Sequence, residues 1–214
     1  FCHQVESVQG THNNPLEWRA DGVMRGAIRE PTLGSPHRSR YSPLMDRKSL
    51  ASSSFCGSCH DVMTPRGVHL ERTYQEWREG LFNSDDPRAR LTCNDCHMPS
   101  ERGAVSAVPN APERRRSSHL SPGIDVHLTP HPGRARMLEA VRAELRNSLL
   151  PDLCVEVGAE GGADVELTLE NIAAGHRFPS GSSLDRRFWV ELSAYDDEGE
   201  LLWESGRVAD DEAV

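Results

Sequence analysis

The chain has 214 residues and a formal net charge of −9, and its hydrophobic and aromatic fractions are 36% and 6%. The acidic balance argues against a nucleic-acid partner, because phosphate contacts need a basic surface. No apolar run is long enough to span a membrane. The small apolar fraction is thin for a conventional core of this length, so we expect either disordered segments or an interior filled partly by a non-protein group.

The chain opens with a cysteine followed directly by a histidine, Cys2 and His3. This pair has the form of the end of a C-x-x-C-H motif whose first cysteine precedes Phe1. An unrelated Cys-His pair is the alternative. We therefore interpret the sequence as a piece of a longer protein, with a motif cut at its beginning.

Two complete C-x-x-C-H motifs follow, C-G-S-C-H at residues 56–60 and C-N-D-C-H at residues 93–97. This is the attachment signature of c-type haem. Two thiols separated by two residues can reach the two vinyl groups of one porphyrin, and the next histidine lies under the iron as its proximal ligand. The sequence therefore predicts haem c as the cofactor, twice from intact motifs and a third time from the opening Cys-His pair.

The residues predicted to hold these haems fall into two sets. The attachment cysteines are Cys2, Cys56, Cys59, Cys93 and Cys96. The proximal iron ligands are His3, His60 and His97. The sixth cysteine, Cys154, has no partner and is expected to be a small side chain in a strand.

Paired cysteines have two other common roles, zinc binding and thiol–disulfide redox chemistry. Two C-x-x-C pairs can bind one zinc ion, but these pairs lie far apart and zinc does not require a histidine after each pair. A thioredoxin-like redox motif needs one pair beside a βαβ pattern, which the sequence does not show. Haem is the favoured interpretation.

Seven further histidines are available as second axial ligands, which low-spin haems take mostly from His or Met. Four of them lie in segments with irregular patterns and are the candidate distal ligands: His37, His119, His127 and His176. The remaining three are weaker candidates: His12, His69 and His131.

Regular elements are predicted at a few places. Residues 73–76 read T-Y-Q-E, a capping box that predicts a short helix leading towards the second motif. Apolar residues between 137 and 149 recur at helical spacing, and Pro151 is expected to end that helix. From about residue 152 apolar and polar residues alternate, which predicts strands.

These patterns predict a mostly irregular and α-helical, haem-packed region followed by an antiparallel β-sandwich-like domain. The predicted boundaries are 1–133 for the multihaem region, 134–151 for a connecting helix and 152–214 for the β domain. We expect the β domain to be incomplete at its C-terminus.

Five stretches are similar to a known family: F-C-G-S-C-H at 55–60, T-Y-Q-E-W at 73–77, C-N-D-C-H-M-P at 93–99, S-H-L at 118–120 and G-H-R-F-P-S-G at 175–181. The chain resembles bacterial multihaem c-type cytochromes, among them tetrahaem electron carriers related to the hydroxylamine oxidoreductase and cytochrome c nitrite reductase lineage. The resemblance implies closely packed haems with mostly two histidine ligands, an upstream region, and export to the periplasm or the cell exterior.

Electron transfer between redox partner proteins is therefore the expected function, with copies of the same chain as further partners. No catalytic residue is predicted. Two alternatives stay open. One is a reductase or oxidase of a small nitrogen or sulfur compound, which needs a haem iron with an open position. The other is a polymerising or scaffold cytochrome subunit.

Overall fold

The computed structural model describes residues 1–31, 38–104, 107, 109–159, 161–182, 184 and 186–209. The helices are α1 (Ala51–Gly57), α2 (Thr73–Glu79), α3 (Cys93–His97) and α4 (Arg134–Ser148), with 3-10 turns at Cys2–Gln4 and Pro43–Met45. The strands are β1 (Val5–Val8), β2 (Leu16–Trp18), β3 (Val23–Gly26), β4 (Arg38–Tyr41), β5 (Val62–Met63), β6 (His69–Glu71), β7 (Ser100–Ala104), β8 (Glu113–Ser117), β9 (Leu149–Val157), β10 (Ala163–Asn171), β11 (Leu192–Tyr195) and β12 (Leu201–Ser205).

Within these ranges the strands form six separate sheets of two strands each. Five pairs are antiparallel, and β3 with β4 is parallel. None of the described helices combines the length and hydropathy that crossing a bilayer requires.

The predicted fold class is wrong in both parts. The described residues up to 133 form eight strands and three short α-helices, so this region is not a mainly irregular and helical one. Beyond it, β9–β10 and β11–β12 are two independent hairpins, and no described sheet has the additional strands of a sandwich. The alternation of apolar and polar residues identifies each strand and its two faces, but it carries no information about which other sheet covers the apolar face.

The segment around the two complete motifs is organised by α1, α2 and α3. Trp77 of α2 is 5% exposed, and its Nε1 donates a hydrogen bond to the carbonyl of Leu91 at 2.9 Å. A Cβ at Gly57, the last residue of α1, would lie 2.2 Å from the ring of Tyr74, so only glycine fits between the two helices there. This close approach joins the first motif to α2.

The predicted capping box at residues 73–76 does not form. The N-cap of α2 is Arg72, which makes no side-chain cap bond. The hydroxyl of Thr73 and the carboxylate of Glu76 both hydrogen-bond to Ser180 instead, at 2.8 and 2.6 Å. A true capping box begins α3, where Thr92 and Asp95 satisfy each other's main-chain groups.

The hydrophobic core is small. Among the described residues, the buried hydrophobic side chains are Val5, Leu44, Trp77 and Val141. Many large apolar side chains are exposed, including Leu153, Val155 and Val165 on one face of the β9–β10 hairpin. Protein contacts alone therefore cover little of the apolar surface.

The C-terminal part begins with α4, which ends at Ser148 and passes directly into β9 at Leu149. The strand thus includes Pro151, the residue expected to end the preceding helix. Nine antiparallel residue pairs join β9 to β10, from Leu149 opposite Asn171 to Val157 opposite Ala163.

Candidate haem-binding site

Each complete motif lies on a helical turn. In the first, the amides of Cys59 and His60 both donate to the carbonyl of Cys56, at 3.1 and 3.0 Å, where α1 ends. The second motif is α3 itself. Residues three apart lie on the same side of a helical turn, so both thiols of each motif can meet one flat group.

The proximal histidines share one hydrogen-bonding pattern through Nδ1. The Nδ1 of His3 bonds the carbonyl of Arg25 at 2.5 Å, and that of His97 bonds the carbonyl of Pro122 at 2.6 Å. The Nδ1 of His60 bonds Oε1 of Glu71 at 2.9 Å. Carbonyl and carboxylate oxygens only accept, so each Nδ1 must carry the proton.

This pattern has a direct chemical consequence. A neutral imidazole with its proton on Nδ1 has a free lone pair on Nε2, which is the arrangement of a metal ligand held by a surrounding acceptor. In that tautomer, the three predicted proximal histidines would have Nε2 available for an iron.

Two of these histidines face a second imidazole. The ring centres of His3 and His119 are 6.3 Å apart, and those of His97 and His176 are 6.4 Å apart with nearly parallel planes, 10° from each other. A metal–imidazole bond is about 2 Å and the ring centre lies about 1 Å beyond the nitrogen, so two imidazoles on opposite sides of one metal have centres about 6 Å apart. Both pairs have the spacing of two axial ligands.

The two facing histidines also bond through Nδ1, His119 to the carbonyl of Ser117 at 3.1 Å and His176 to the carbonyl of Arg177 at 2.8 Å. Their Nε2 atoms are thus free in the same way. Sequence analysis proposed both as distal ligands, and the structure places their rings 6.3 and 6.4 Å from those of two predicted proximal ligands.

Long-range contacts position the two distal loops. Ser118, next to His119, is 5% exposed and its amide donates to the carbonyl of Pro99 at 2.9 Å, just after the second motif. The loop of His176 is held on α2, because the Arg177 amide and the Ser180 hydroxyl both donate to Glu76, at 3.2 and 2.6 Å. These contacts join segments that are about 20 to 100 residues apart in sequence.

The two complete motifs lie close to each other. The amide of Cys93 donates to the hydroxyl of Ser53 in α1 at 3.1 Å, and Sγ of Cys56 lies 3.8 Å from Oδ1 of Asn94 in α3. The Cys93 thiol and burial raise the pKa of Cys56, and the Cys56 thiol lowers the pKa of Cys93. Burial raises the pKa of Cys96 as well. Groups attached to the two motifs would therefore lie near each other.

The remaining cysteines and candidate distal histidines do not belong to these two histidine pairs. The ring of His127 stacks directly on His131 at 3.9 Å and faces neither His3 nor His97. His37 lies outside the described residues. Cys2 and Cys59 are exposed, and Cys154 is an exposed residue of β9, where a strand was expected.

Sequence reasoning missed Glu71. It lies at the end of β6 and its carboxylate bonds His60, eleven positions earlier in the chain. The β5–β6 hairpin turns the chain back on itself and makes this contact. A lone glutamate in a short strand carries no signal that would have identified it.

No described group of three or more His, Cys, Asp or Glu side chains is gathered as a single metal ion would require. A haem iron needs fewer protein ligands, because the porphyrin supplies four and the protein supplies one or two. The two opposed histidine pairs, each beside attachment cysteines and each with free Nε2 atoms, fit that requirement.

Comparison with known proteins finds no family model that matches the chain, and no similar curated protein or solved structure.

Proposed function

We propose that this chain is part of a multihaem c-type cytochrome that transfers electrons through three covalently attached haems. The observation that carries the proposal is two pairs of neighbouring imidazoles, whose ring centres are 6.3 Å apart for His3 and His119 and 6.4 Å apart for His97 and His176. Each pair joins the histidine of a Cys-His motif to a histidine from a distant loop. The resemblance to bacterial tetrahaem electron carriers supports the same function.

The cysteines and histidines have separate roles. Each attachment thiol would add across a vinyl group of a haem, with the thiol hydrogen passing to the neighbouring vinyl carbon. His3 with His119 would hold one haem iron, and His97 with His176 would hold another. A bound haem supplies an iron that gains and loses one electron. Two protein ligands on an iron leave it no position for a substrate, which favours electron transfer over catalysis.

The contacts between α1 and α3, from the Cys93 amide to Ser53 and from Cys56 to Asn94, would bring the second and third attachment sites close together. Neighbouring redox groups exchange single electrons over a short path, so this proximity supports passage of electrons between the two motifs. The ends of such a path would meet redox partner proteins or further copies of the chain. The net charge of −9 makes those encounters sensitive to salt.

The cofactor also bears on location. Haem attachment of this kind implies, through the resemblance to bacterial cytochromes, that the protein is exported to the periplasm or the cell exterior. A partner surface of basic character fits the acidic chain.

The test is to produce the protein in the periplasm of a host that attaches haem to C-x-x-C-H motifs. We expect a mass increase of two haems for the complete motifs at 56–60 and 93–97, and of a third where a cysteine stands three positions before Cys2. We also expect a c-type absorbance spectrum of the pyridine adduct and low-spin ferric signals in electron paramagnetic resonance. Replacing His119→Ala or His176→Ala should convert one haem each to high spin. Leu202→Ala, at an exposed residue of β12, is the control. A mature protein without covalent haem would disprove the proposal.

A second candidate function rests on His60. The imidazole pairs among the described residues are His3–His119, His97–His176 and His127–His131, and His60 belongs to none of them. Its side chain is 64% exposed. An iron held by His60 alone would be open to a small nitrogen or sulfur compound, as in a reductase or oxidase. A high-spin signal in the unsubstituted protein that responds to nitrite, hydroxylamine or carbon monoxide would establish this function, and entirely low-spin haems would exclude it.

A further inference from the structure

The three proximal histidines differ in one respect, the acceptor at Nδ1. His3 and His97 donate to main-chain carbonyls, whereas His60 donates to the carboxylate of Glu71. A carboxylate bears a full negative charge and a carbonyl only a dipole. A hydrogen bond to a charged acceptor is shorter and stronger, and it makes the imidazole a more basic ligand.

The geometry points to Glu71 as a positioning residue that sets the reduction potential of the haem attached at Cys56 and Cys59 below those of the other two. This inference rests on the proposed function, since it needs an iron on His60. The ferric iron carries one more positive charge than the ferrous iron, so a negative charge behind its ligand stabilises the ferric state. Glu71 does not touch the iron and acts only through His60.

The surroundings of Glu71 keep its carboxylate in place. Its side chain is 18% exposed, so water screens only part of its charge. The hydroxyl of Thr73 lies 3.4 Å from the same Oε1 atom and 2.8 Å from the hydroxyl of Ser180. Ser180 donates its own proton to Glu76 at 2.6 Å, so Thr73 has to donate to Ser180. His60 is therefore the principal donor to Glu71.

The decisive variant is Glu71→Gln, which keeps a hydrogen-bond acceptor of nearly the same shape and removes the charge. We expect one of the three midpoint potentials in a spectroelectrochemical titration to rise. Loss of such a supporting contact changes a metal-site equilibrium about tenfold, which corresponds to about 59 mV for one electron. The other two potentials should stay unchanged, because their proximal histidines donate to main-chain carbonyls.

The shifted potential can be assigned by elimination. His119→Ala and His176→Ala each convert one haem to high spin, which identifies the haems of His3 and His97. The haem whose spin state changes in neither variant is that of His60. The potential that Glu71→Gln shifts must belong to this haem. The g-values of that haem should change as well, since a weaker donor ligand alters the ligand field.

Two controls separate charge from folding. Glu79→Gln removes a carboxylate from the exposed side of α2, where it bonds Gln75 at 2.7 Å and no histidine. Thr73→Val removes the hydroxyl beside Glu71 and keeps the carboxylate. Both should leave the three potentials in place.

The inference is overturned if Glu71→Gln retains all its haem and shifts no potential, or if Thr73→Val produces the same shift. A protein without covalent haem would instead overturn the proposed function, and haem content therefore distinguishes the two failures.

Discussion

The region up to residue 133 and the region after it are held together in different ways. In the first, polar contacts join distant segments. The guanidinium of Arg47 donates to the main-chain carbonyl of Asn94 at 2.8 Å, and the side-chain amide of Asn13 donates to the main-chain carbonyl of Met63 at 2.7 Å. In the second, the β9–β10 hairpin pairs neighbouring residues in an uninterrupted register.

The two regions are ordered by different kinds of contact. The hairpins need only a local alternation of side chains, and their apolar faces stay largely exposed. The first region has short elements and few buried apolar side chains, and its order comes from specific contacts around the Cys-His motifs. A haem between facing histidines would supply the apolar interior that the chain does not provide.

The largest expected effect comes from removing one attachment site. The double variant Cys93→Ser and Cys96→Ser should lose one haem by mass and loosen the segment around α3, because the second motif no longer has its covalent anchor. Hydrogen exchange followed by mass spectrometry should show this loss of protection in the first region only.

The matched control is Cys154→Ser, an exposed cysteine of β9. It should keep all haems and the same exchange pattern. Equal loss of protection in β9 and β10 after the double substitution would contradict the independence of the two regions.

The next effect concerns a buried cation of the first region. Arg25 is 2% exposed and pairs with Glu6 and with Asp21, the latter at 2.9 Å. Its two partners are partly exposed, so Arg25→Met should lower the free energy of unfolding by about 2 kcal/mol, less than the about 3 kcal/mol typical of breaking a fully buried pair. Urea denaturation monitored by circular dichroism measures the change.

Arg40→Met provides the comparison. Arg40 also pairs with Glu6, at 3.3 Å, but its side chain is 66% exposed. Such pairs contribute less than about 1 kcal/mol. If the two arginine substitutions lowered the free energy of unfolding equally, burial of Arg25 would not be the reason for its effect.

A pair of valine substitutions sharpens the contrast between regions. Val5 is fully buried and Val165 is 49% exposed. Truncating each to alanine removes two carbons, so Val5→Ala should cost about 1.5 kcal/mol and Val165→Ala about half as much. A larger cost at Val165 in the same denaturation experiment would mean that the exposed face of the hairpin is covered in solution.

The smallest effect is a pH dependence in the first region. The hydrogen bond from Arg25 and the amide of Val23 lower the pKa of Asp21 from its usual 3.8 to about 2. The folded state therefore binds fewer protons than the unfolded state between these values. The contribution of the Asp21 carboxylate to stability is complete above about pH 4 and is lost as the pH falls towards 2. Asp21→Asn should flatten the stability profile over that window, and an unchanged slope would contradict this.

Part of the candidate site could be predicted from sequence, because the chemistry there is local. The two thiols and the histidine of each motif are consecutive, so their spacing alone predicts haem attachment. His119 and His176 were proposed as distal ligands from irregular flanking patterns, and these roles stay predictions. The structure places each ring 6.3 or 6.4 Å from the ring of a motif histidine.

The fold could be predicted less well from the sequence than the motifs. The capping box at residues 73–76 satisfied the local rule and failed, since Thr73 and Glu76 bond a loop that follows about 100 residues later. The β sandwich failed for a related reason. Strand periodicity is local, whereas the choice of a covering sheet depends on contacts between segments that the pattern does not describe.

The sequence alone predicted the helix that begins at Thr73, the helix that begins at Arg134 and the strands after it, because each depends on residues within a few positions of one another. The motif spacing and the acidic charge are local in the same sense, whereas the strands β1 to β8 were not predicted. Only the tertiary structure decided which histidines face each other, that Glu71 bonds His60, and that the strands remain in pairs. Those outcomes depend on distances between remote segments, and such distances are set by the packing of the whole chain.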